Sequence, residues 1–356
     1  MEARTEVGLV KGHAYGITAV KKVYIGETNL MSLFGQKEKI YMVRMRNPWG
    51  QKEWNGPFSD GSEEWEKTED VEREMDLWIA GPKGTETDRA GGCYNNKDTF
   101  LQNPQYRFDV EADDDTVMIF LMQKDRRALR SQGISHLVIG FHVMKVEANR
   151  RYRLHAIKDK AAGSEYAMSR NVFHRCDLKA GRYIIVPTTF EPSQEGEFLL
   201  RLFTSKANNA KEVAHDVPTQ SMWPCISYPC LLTKVFVKGA TDLEKQDRFG
   251  SADPYCVVKC EGERVKSPVC RETLNPEWNL TCLFYRKNSA STVKIQIWNS
   301  NVVMDTCLGK ASVEAPLQSE PIIKEVELYG RLQEKDVKKP GVVTLEIITT
   351  DDLLSY

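Results

Sequence analysis

The chain has 356 residues and an almost balanced charge, with 49 Lys and Arg against 50 Asp and Glu. This length predicts two or three domains with ample core. The balanced charge argues against nucleic acid as a partner, and no apolar run is long enough to predict a spanning helix.

The nine cysteines are scattered, and none of them form a CxxC pair that would suggest a metal or redox motif. The first residues are too acidic and too short of apolar side chains for a signal peptide. We therefore expect reduced, mostly buried thiols and a cytoplasmic protein.

The first part of the chain predicts two strands, each with one polar residue at its end. Residues 15–20 and 41–46 alternate apolar and polar side chains, and a hairpin-like connection joins them. Pro48 ends the second strand and keeps Asn47 extended. His13 and Asn47 are placed as the second and third members of a Cys-His-Asn site would be.

Residues 62–75 predict a helix capped by Ser62, with Trp65, Val71 and Met75 on a thin apolar face. Gly and Pro residues between 81 and 92 then predict a linker.

Short apolar runs separated by turn residues predict two β-sandwiches after the linker. The predicted strands of the first are 106–110, 116–123, 136–146, 152–157, 181–190 and 197–204. A polar connector, 206–228, precedes those of the second: 231–237, 254–260, 281–285, 292–298, 307–313, 322–328 and 342–349. The acidic run 111–115 is predicted to be a solvated hairpin turn, with a weak cation or switch contact as the alternative. The predicted fold class is mostly β with a small α+β start.

Several motifs resemble those of calpains, which are papain-like cysteine proteases. The segments 11–15 (KGHAY), 47–50 (NPWG) and 53–60 (EWNGPFSD) resemble the second calpain protease subdomain. The segments 91–96 and 100–106 resemble the start of the calpain-type β-sandwich, and the tail resembles a C2 domain. The resemblance implies a partial protease subdomain at 1–80, a β-sandwich at 81–215 and a C2 domain at 216–356, as in a C-terminal fragment of a C2-tailed calpain.

The resemblance implies a calcium-regulated intracellular cysteine endopeptidase acting on protein substrates. His13 would be the general acid/base, Asn47 would orient its imidazole, and Trp49 would shield their hydrogen bond from water. The first cysteine, Cys93, belongs to the sandwich motif, so we expect the chain to lack the nucleophile and to be inactive alone. The alternatives are a non-catalytic pair of β-sandwiches that binds membranes or proteins, and a site completed by another chain.

Calcium is the cofactor that the resemblance implies, at two places. Glu53 and Asp60 match half of the protease calcium site. The partner strand and about forty to fifty residues of the family pattern are missing, and two carboxylates are too few for calcium. In the C2 domain, Asp247, Asp253 and Asp305 match calcium ligands.

Asn299 and Asn301 stand where the C2 pattern has carboxylates, so we expect calcium binding there to be weak or lost, the alternative being solvated acids at a loop tip. Lys259, Arg264 and Lys266 could form a basic face for an anionic membrane surface. Glu261 and Glu263 favour a mixed, solvated face instead.

Overall fold

A computed structural model describes residues 16–25, 38–46, 68–69, 76–81, 88–113, 115–126, 131–219, 228–245, 251–301, 303–330 and 337–356. The chain divides into two compact units, Met1–Glu74 and Met75–Tyr356. Across these ranges, no helix has the length and apolar character needed to cross a membrane. Helical structure in them is confined to short turns such as the 3₁₀ turn Phe100–Gln102.

The described part of the first unit is a three-stranded antiparallel sheet. Its strands are β1 (Gly16–Ile25), β2 (Glu38–Arg46) and β3 (Thr68–Glu69), in the order β2-β1-β3. The strands predicted at 15–20 and 41–46 are confirmed as β1, from Gly16 on, and as β2, and Tyr15 lies outside the described residues. Gly16 pairs with Arg46, so the start of β1 lies beside the end of β2.

The helix predicted over 62–75 is wrong at Thr68 and Glu69, because β3 pairs there with Ile25 and Tyr24 of β1. An isolated helix with a thin apolar face gains little from propensity alone, and pairing with an open sheet edge competes with it. The remainder of that predicted helix lies outside the described residues.

The first sandwich packs two antiparallel sheets face to face. The five-stranded sheet contains, in spatial order, β12 (Lys211–Glu212), β5 (Tyr106–Val110), β10 (Gly181–Thr189), β7 (Ile139–Val146) and β8 (Lys160–Gly163). The four-stranded sheet contains β4 (Asp76–Trp78), β11 (Gly196–Phe203), β6 (Asp115–Gln123) and β9 (Asn171–Leu178). Alternate side chains of β6, among them Ile119 and Leu121, are fully buried between the sheets.

The connection between β5 and β6 corrects the hairpin predicted at 111–115. These strands belong to different sheets, so the acidic segment crosses from one sheet to the other. Asp113 accepts a hydrogen bond from the Ala180 N–H at 3.0 Å, which fixes this crossing to the loop before β10.

The second sandwich is one continuous antiparallel ladder of eight strands. In spatial order these are β15 (Glu263–Lys266), β14 (Pro254–Cys260), β17 (Val293–Asn299), β18 (Thr306–Val313), β19 (Ile322–Tyr329), β20 (Lys338–Thr350), β13 (Leu231–Thr241) and β16 (Glu277–Arg286). Alternate residues, such as Val258, Ile295 and Leu345, fill its core. The predicted mostly β fold is confirmed.

The strand predicted at 152–157 is wrong, because this segment bonds to loops and side chains instead of to a strand. The Arg153 N–H donates to the backbone oxygen of His215, and the Leu154 N–H donates to Oε1 of Gln105. The domain boundary at 80/81 stays a prediction. The structure adds that β4 pairs with β11, so Asp76–Trp78 belongs to the first sandwich.

A loop of the first sandwich, residues 147–153, runs along the edge strand β16 of the second. The Ala148 N–H donates to the backbone oxygen of Thr281 at 2.9 Å. Asn149 donates from Nδ2 to the Leu283 oxygen at 2.6 Å and accepts the Leu283 N–H on Oδ1 at 2.9 Å. The side chain of Asn149 thus occupies the hydrogen-bonding groups that an edge strand leaves free. We call this contact the junction.

A buried ion pair lies at the junction. Nη2 of Arg150 is 2.7 Å from Oε2 of Glu147, and both side chains are at most 2% exposed. Nη1 of Arg150 donates to the backbone oxygen of Tyr356 at 2.9 Å, so the pair also holds the last residue of the sequence. A buried pair of this kind fixes geometry, and the loss of one partner is costly.

Candidate functional site

The residues predicted for proteolysis, namely His13, Asn47, Trp49, Glu53 and Asp60, lie outside the described residues. Asp247 of the C2 calcium prediction does as well. The structure does describe the strands that flank two of them: β1 begins three residues after His13, β2 ends immediately before Asn47, and their ends pair through Gly16 and Arg46. The catalytic assignments stay predictions.

Asp253 and Asp305 are described, and both belong to one hydrogen-bonded network at the end of the second sandwich. The network joins the start of β14 to residues 299–305, which we call the tip loop. The Asp253 N–H donates to Oδ1 of Asn299 at 2.6 Å, and the Ser300 N–H donates to the Asp253 backbone oxygen at 2.9 Å. Two segments that are distant in sequence are therefore held edge to edge.

Both carboxylates of this network accept hydrogen bonds from the protein itself. Oδ2 of Asp305 accepts the Tyr255 hydroxyl at 2.6 Å, and Oδ1 accepts the Asn301 N–H at 3.0 Å. Oδ1 of Asp253 accepts the Glu272 N–H at 2.8 Å. The Tyr255 hydrogen bond lowers the pKa of Asp305, whereas burial, followed by that same bond, raises the pKa of Tyr255 to about 12.

The two asparagines close the tip loop on itself. Asn299 is only 1% exposed, and its Nδ2 donates to Oδ1 of Asn301 at 3.1 Å. Nδ2 of Asn301 donates to the backbone oxygen of Met304 at 3.0 Å. Because the Asp253 N–H and the Met304 carbonyl fix which amide atom accepts and which donates, both amide orientations are determined.

The described residues of this network do not by themselves supply the ligands of a resident calcium ion. Calcium requires six to eight oxygen ligands. Three of the four carboxylate oxygens of Asp253 and Asp305 already accept hydrogen bonds, and amide N–H donors take part in the same network. Within the described ranges, no group of three or more His, Cys, Asp or Glu side chains could hold a metal ion.

A basic groove runs from the tip loop along the outer face of β15, β14 and β17. Lys259 of β14 pairs with Arg264 on one side and with Lys294 on the other, and Nζ of Lys266 lies 3.7 Å from the centre of the Tyr255 ring. The groove has a volume of about 490 Å³. It is lined by Tyr255, Lys259, Arg264, Gln296, Trp298, Val303, Met304 and Asp305.

The two glutamates expected to interrupt this basic face bond elsewhere. Glu261 accepts the backbone N–H groups of Lys287 and Asn288. Glu263 accepts from Asn149 at the junction, on the opposite face of β15 from Arg264. The cations of the groove therefore form a basic face without these two acids.

Two apolar side chains stand at the mouth of the groove. Val303 is 95% exposed and Met304 is 77% exposed. Sequence reasoning did not select them, although an apolar pair in an otherwise polar loop is a signal that could have found them. Adjacent exposed side chains of this kind are typical of a surface that meets a partner or a membrane.

Three family models match the chain in succession. The model of the calpain family cysteine protease matches residues 1–81, that of calpain large subunit domain III matches 76–203, and that of the C2 domain matches 232–328. The domain III match begins at the first residue of β4.

Curated relatives match nearly the whole chain. It is 38% identical over 402 residues to Calpain-5 of Mus musculus, covering 99% of this chain and 62% of that protein. It is 28% identical over 380 residues to Calpain-5 of Caenorhabditis elegans, covering 90% and 58%. The chain thus spans less than two thirds of these relatives. The alignment of 402 positions exceeds the 356 residues of the chain by 46, so at least that many positions of the mouse protein have no counterpart here.

Among solved structures, a C2 domain of plant Extended Synaptotagmin 1 is 21% identical and covers 34% of this chain and 95% of that one, with a TM-score of 0.29. This score is too low to support any argument about the site.

Proposed function

The chain belongs to the calpain family, and on that premise we propose that its first unit supplies the His and Asn of a cysteine endopeptidase site. The observation that supports this proposal is the pairing of Gly16 with Arg46, since it brings together the strand ends next to His13 and Asn47. The protease family match over residues 1–81 agrees with it.

The proposed chemistry is the hydrolysis of peptide bonds in protein substrates. A thiolate from another segment attacks the carbonyl carbon, and His13 passes its proton to the leaving amine, which leaves a thioester. Water, whose proton His13 accepts, then cleaves the thioester to the free acid and regenerates the thiolate. Asn47 orients the imidazole of His13, and Trp49 keeps water from their hydrogen bond. Glu53 and Asp60 would contribute to calcium regulation only with oxygen ligands from elsewhere.

The site is proposed to work in the cytoplasm. All eight cysteines in the described part of the chain are free, which fits a reducing compartment.

A labelling experiment tests the origin of the nucleophile. The 356-residue chain is treated with an epoxide that alkylates activated thiolates, in calcium and in chelator, and is mapped by mass spectrometry. We expect no activated site and no cleavage of casein. Selective labelling of one cysteine together with casein cleavage would contradict the proposal.

A chimera tests the roles of the two side chains. The preceding segment of mouse Calpain-5 is fused to this chain, and the fusion is assayed on casein. We expect His13→Ala to abolish turnover and Asn47→Ala to lower it by roughly a hundredfold or more, because the imidazole loses its orientation. The His155→Ala variant, in the first sandwich, is the matched control. Turnover that survives His13→Ala would refute the assignment.

A second function is proposed for the C2 domain: binding to an anionic membrane surface. The observation that favours it is the juxtaposition of the exposed Val303 and Met304 with Lys259 and Arg264 in one groove. Apolar side chains can enter the lipid interface while the cations remain among the headgroups.

Vesicle sedimentation at increasing salt tests this second function. We expect the chain to bind phosphatidylserine vesicles and to lose binding as salt rises. Each charge reversal, Lys259→Glu or Arg264→Glu, should weaken binding by roughly fivefold or more, since a cation near the surface contributes about 1 kcal/mol. Lys324→Glu, on β19, is the control. Equal effects of all three changes would contradict a role for the groove.

A further inference from the structure

The tip loop of the C2 domain is closed by hydrogen bonds of two asparagine side chains, Asn299 and Asn301. A calcium ion in such a loop would join several segments, because its ligands come from different loops. Here Asn299 makes that connection: its Oδ1 holds the Asp253 N–H at the start of β14, and its Nδ2 holds Asn301 in the tip loop. One neutral amide thus bridges both sides with one acceptor and one donor.

Asn301 extends the bridge to the rest of the loop. Its N–H is bound by Asp305, and its Nδ2 donates to the Met304 carbonyl at 3.0 Å and to Oγ1 of Thr306 at 3.3 Å. A carboxylate at position 301 could supply neither of these two donors. The loop that carries Met304 is consequently closed by hydrogen bonds between groups of the chain itself.

The charge balance of the site favours the same conclusion. With amides at 299 and 301, the described part of the network carries two carboxylates, at Asp253 and Asp305, and Asp305 is held by the Tyr255 hydroxyl. The positive charge of Lys266, which lies over the Tyr255 ring, also lowers the pKa of Asp305. With aspartates at 299 and 301, four carboxylates would meet in one network and would repel each other unless a cation joined them.

We propose that the Asn299 and Asn301 amides replace a calcium ion in closing the tip loop, so that Val303 and Met304 are presented to an anionic lipid surface without calcium. This inference rests on the membrane function proposed above and assigns its regulation. It predicts that the wild-type domain binds anionic membranes with or without calcium. It also predicts that membrane binding becomes calcium-dependent when the two asparagines are replaced by aspartates.

Calcium binding is measured first, without lipid. The complete chain is titrated with calcium chloride by calorimetry, with Trp298 fluorescence as a second signal because this residue lies beside the tip loop. We expect no saturable signal from the tip of the wild type and a new one from the Asn299→Asp, Asn301→Asp double variant. Since Asn299 is buried, the single Asn301→Asp variant provides a second test if the double variant does not fold. Asn279→Asp, on β16, adds one carboxylate elsewhere, as Asn301→Asp adds one at the tip, and should give no calcium signal.

Vesicle binding is measured next, on phosphatidylcholine containing about one third phosphatidylserine, because anionic lipid attracts the basic groove. We expect the wild type to sediment equally in chelator and in calcium. Asn301→Asp should bind roughly tenfold more weakly in chelator, because carboxylate repulsion opens the loop, and calcium should restore it. Met304→Ser should weaken binding by about tenfold under both conditions, since its apolar contact with lipid is lost. Leu317→Ser, exposed elsewhere in the domain, is its control.

The two failures are distinguishable. A saturable calcium signal at the tip of the wild type, or vesicle binding that needs calcium, would overturn the amide closure and leave the membrane function standing. Absence of vesicle binding in both buffers would overturn the membrane function and the presentation of Val303 and Met304, whatever the calcium titration gives. Asn301→Asp behaving as wild type in chelator would also contradict the amide closure.

Discussion

The junction and the tip loop both involve the second sandwich, but their charged groups differ in exposure to water and in the groups they bond to. At the junction, Glu147 and Arg150 are nearly inaccessible to water and bond to each other. At the tip loop, Asp305 is partly exposed to water and bonds to a tyrosine and a backbone amide, while two apolar side chains project outward. The comparison separates two uses of polar groups: the junction fixes two modules together, and the tip loop positions a surface for a partner.

The largest effect should come from removing one buried charge at the junction. Glu147→Gln leaves the Arg150 cation buried without its counter-charge, and we expect a loss of about 3 kcal/mol of unfolding free energy. Urea unfolding followed by fluorescence measures it. Glu327→Gln, which breaks an exposed ion pair with Lys338, is the control and should change little. An equal loss of unfolding free energy in both variants would mean that the buried ion pair contributes no more to stability than the exposed one.

The same pair should make stability depend on pH in the acid range. Burial raises the pKa of Glu147, but Arg150 and Lys158 oppose this more strongly, and the net pKa lies below the usual 4.5. A carboxyl with a lowered folded-state pKa stabilises the fold above its unfolded pKa, and this contribution is lost as the pH falls through the folded value. The stability difference between wild type and Glu147→Gln should therefore shrink below about pH 4.5. A constant difference down to pH 3 would argue against titration of Glu147.

A smaller effect is expected from the amide that covers the edge of β16. Asn149→Ala removes both hydrogen bonds to Leu283 and should cost about 1–3 kcal/mol. Hydrogen exchange of the Leu283 amide should accelerate while the amides of β17 remain protected. The exposed Asn171 of β9 gives a matched control, Asn171→Ala. Unchanged exchange at Leu283 would show that the loop 147–153 does not depend on this side chain.

The smallest effect should come from the tip. Tyr255→Phe removes the hydroxyl donor to Asp305 and keeps the ring under Lys266. We expect exchange of the Asn301 amide to accelerate by roughly three- to tenfold, since one net hydrogen bond is lost, with global stability nearly unchanged. Tyr329→Phe, on β19, controls for loss of a hydroxyl. If Tyr255→Phe unfolds globally at a lower denaturant concentration, the Tyr255 hydroxyl contributes to the stability of the whole domain and not only to the tip loop.

The sequence predicts a strand best where apolar residues identify its buried face and turn residues identify its ends. The strands 106–110 and 254–260 are confirmed with their predicted bounds, because alternating or continuous apolar residues end at turn residues. β9 was missed, since its outward face carries Arg175 and Asp177 and its hydrophobic signal is weak. The false strand at 152–157 has suitable residues, but Arg153 donates to backbone oxygens of the 3₁₀ turn region, a distant contact that no local pattern reveals.

The sequence predicts which residues belong to the candidate site, but it does not predict the hydrogen bonds between them. Sequence comparison with the C2 pattern singled out Asp253, Asp305 and the two amides. It could not give the roles of Tyr255 or Asn299 as connectors, because these depend on β14 and β17 lying side by side. The proteolytic residues remain predictions on chemical grounds.

The cover that Asn149 and Ala148 place over β16 has a consequence for any attempt to study the C2 module by itself. Cutting the chain in the connector would expose the backbone groups of Thr281 and Leu283, in the middle of the edge strand β16. Such a margin is a template on which another copy can add its own strand. Excised C2 modules of this protein should therefore self-associate, and a soluble monomer is best sought with residues 147–153 kept in place.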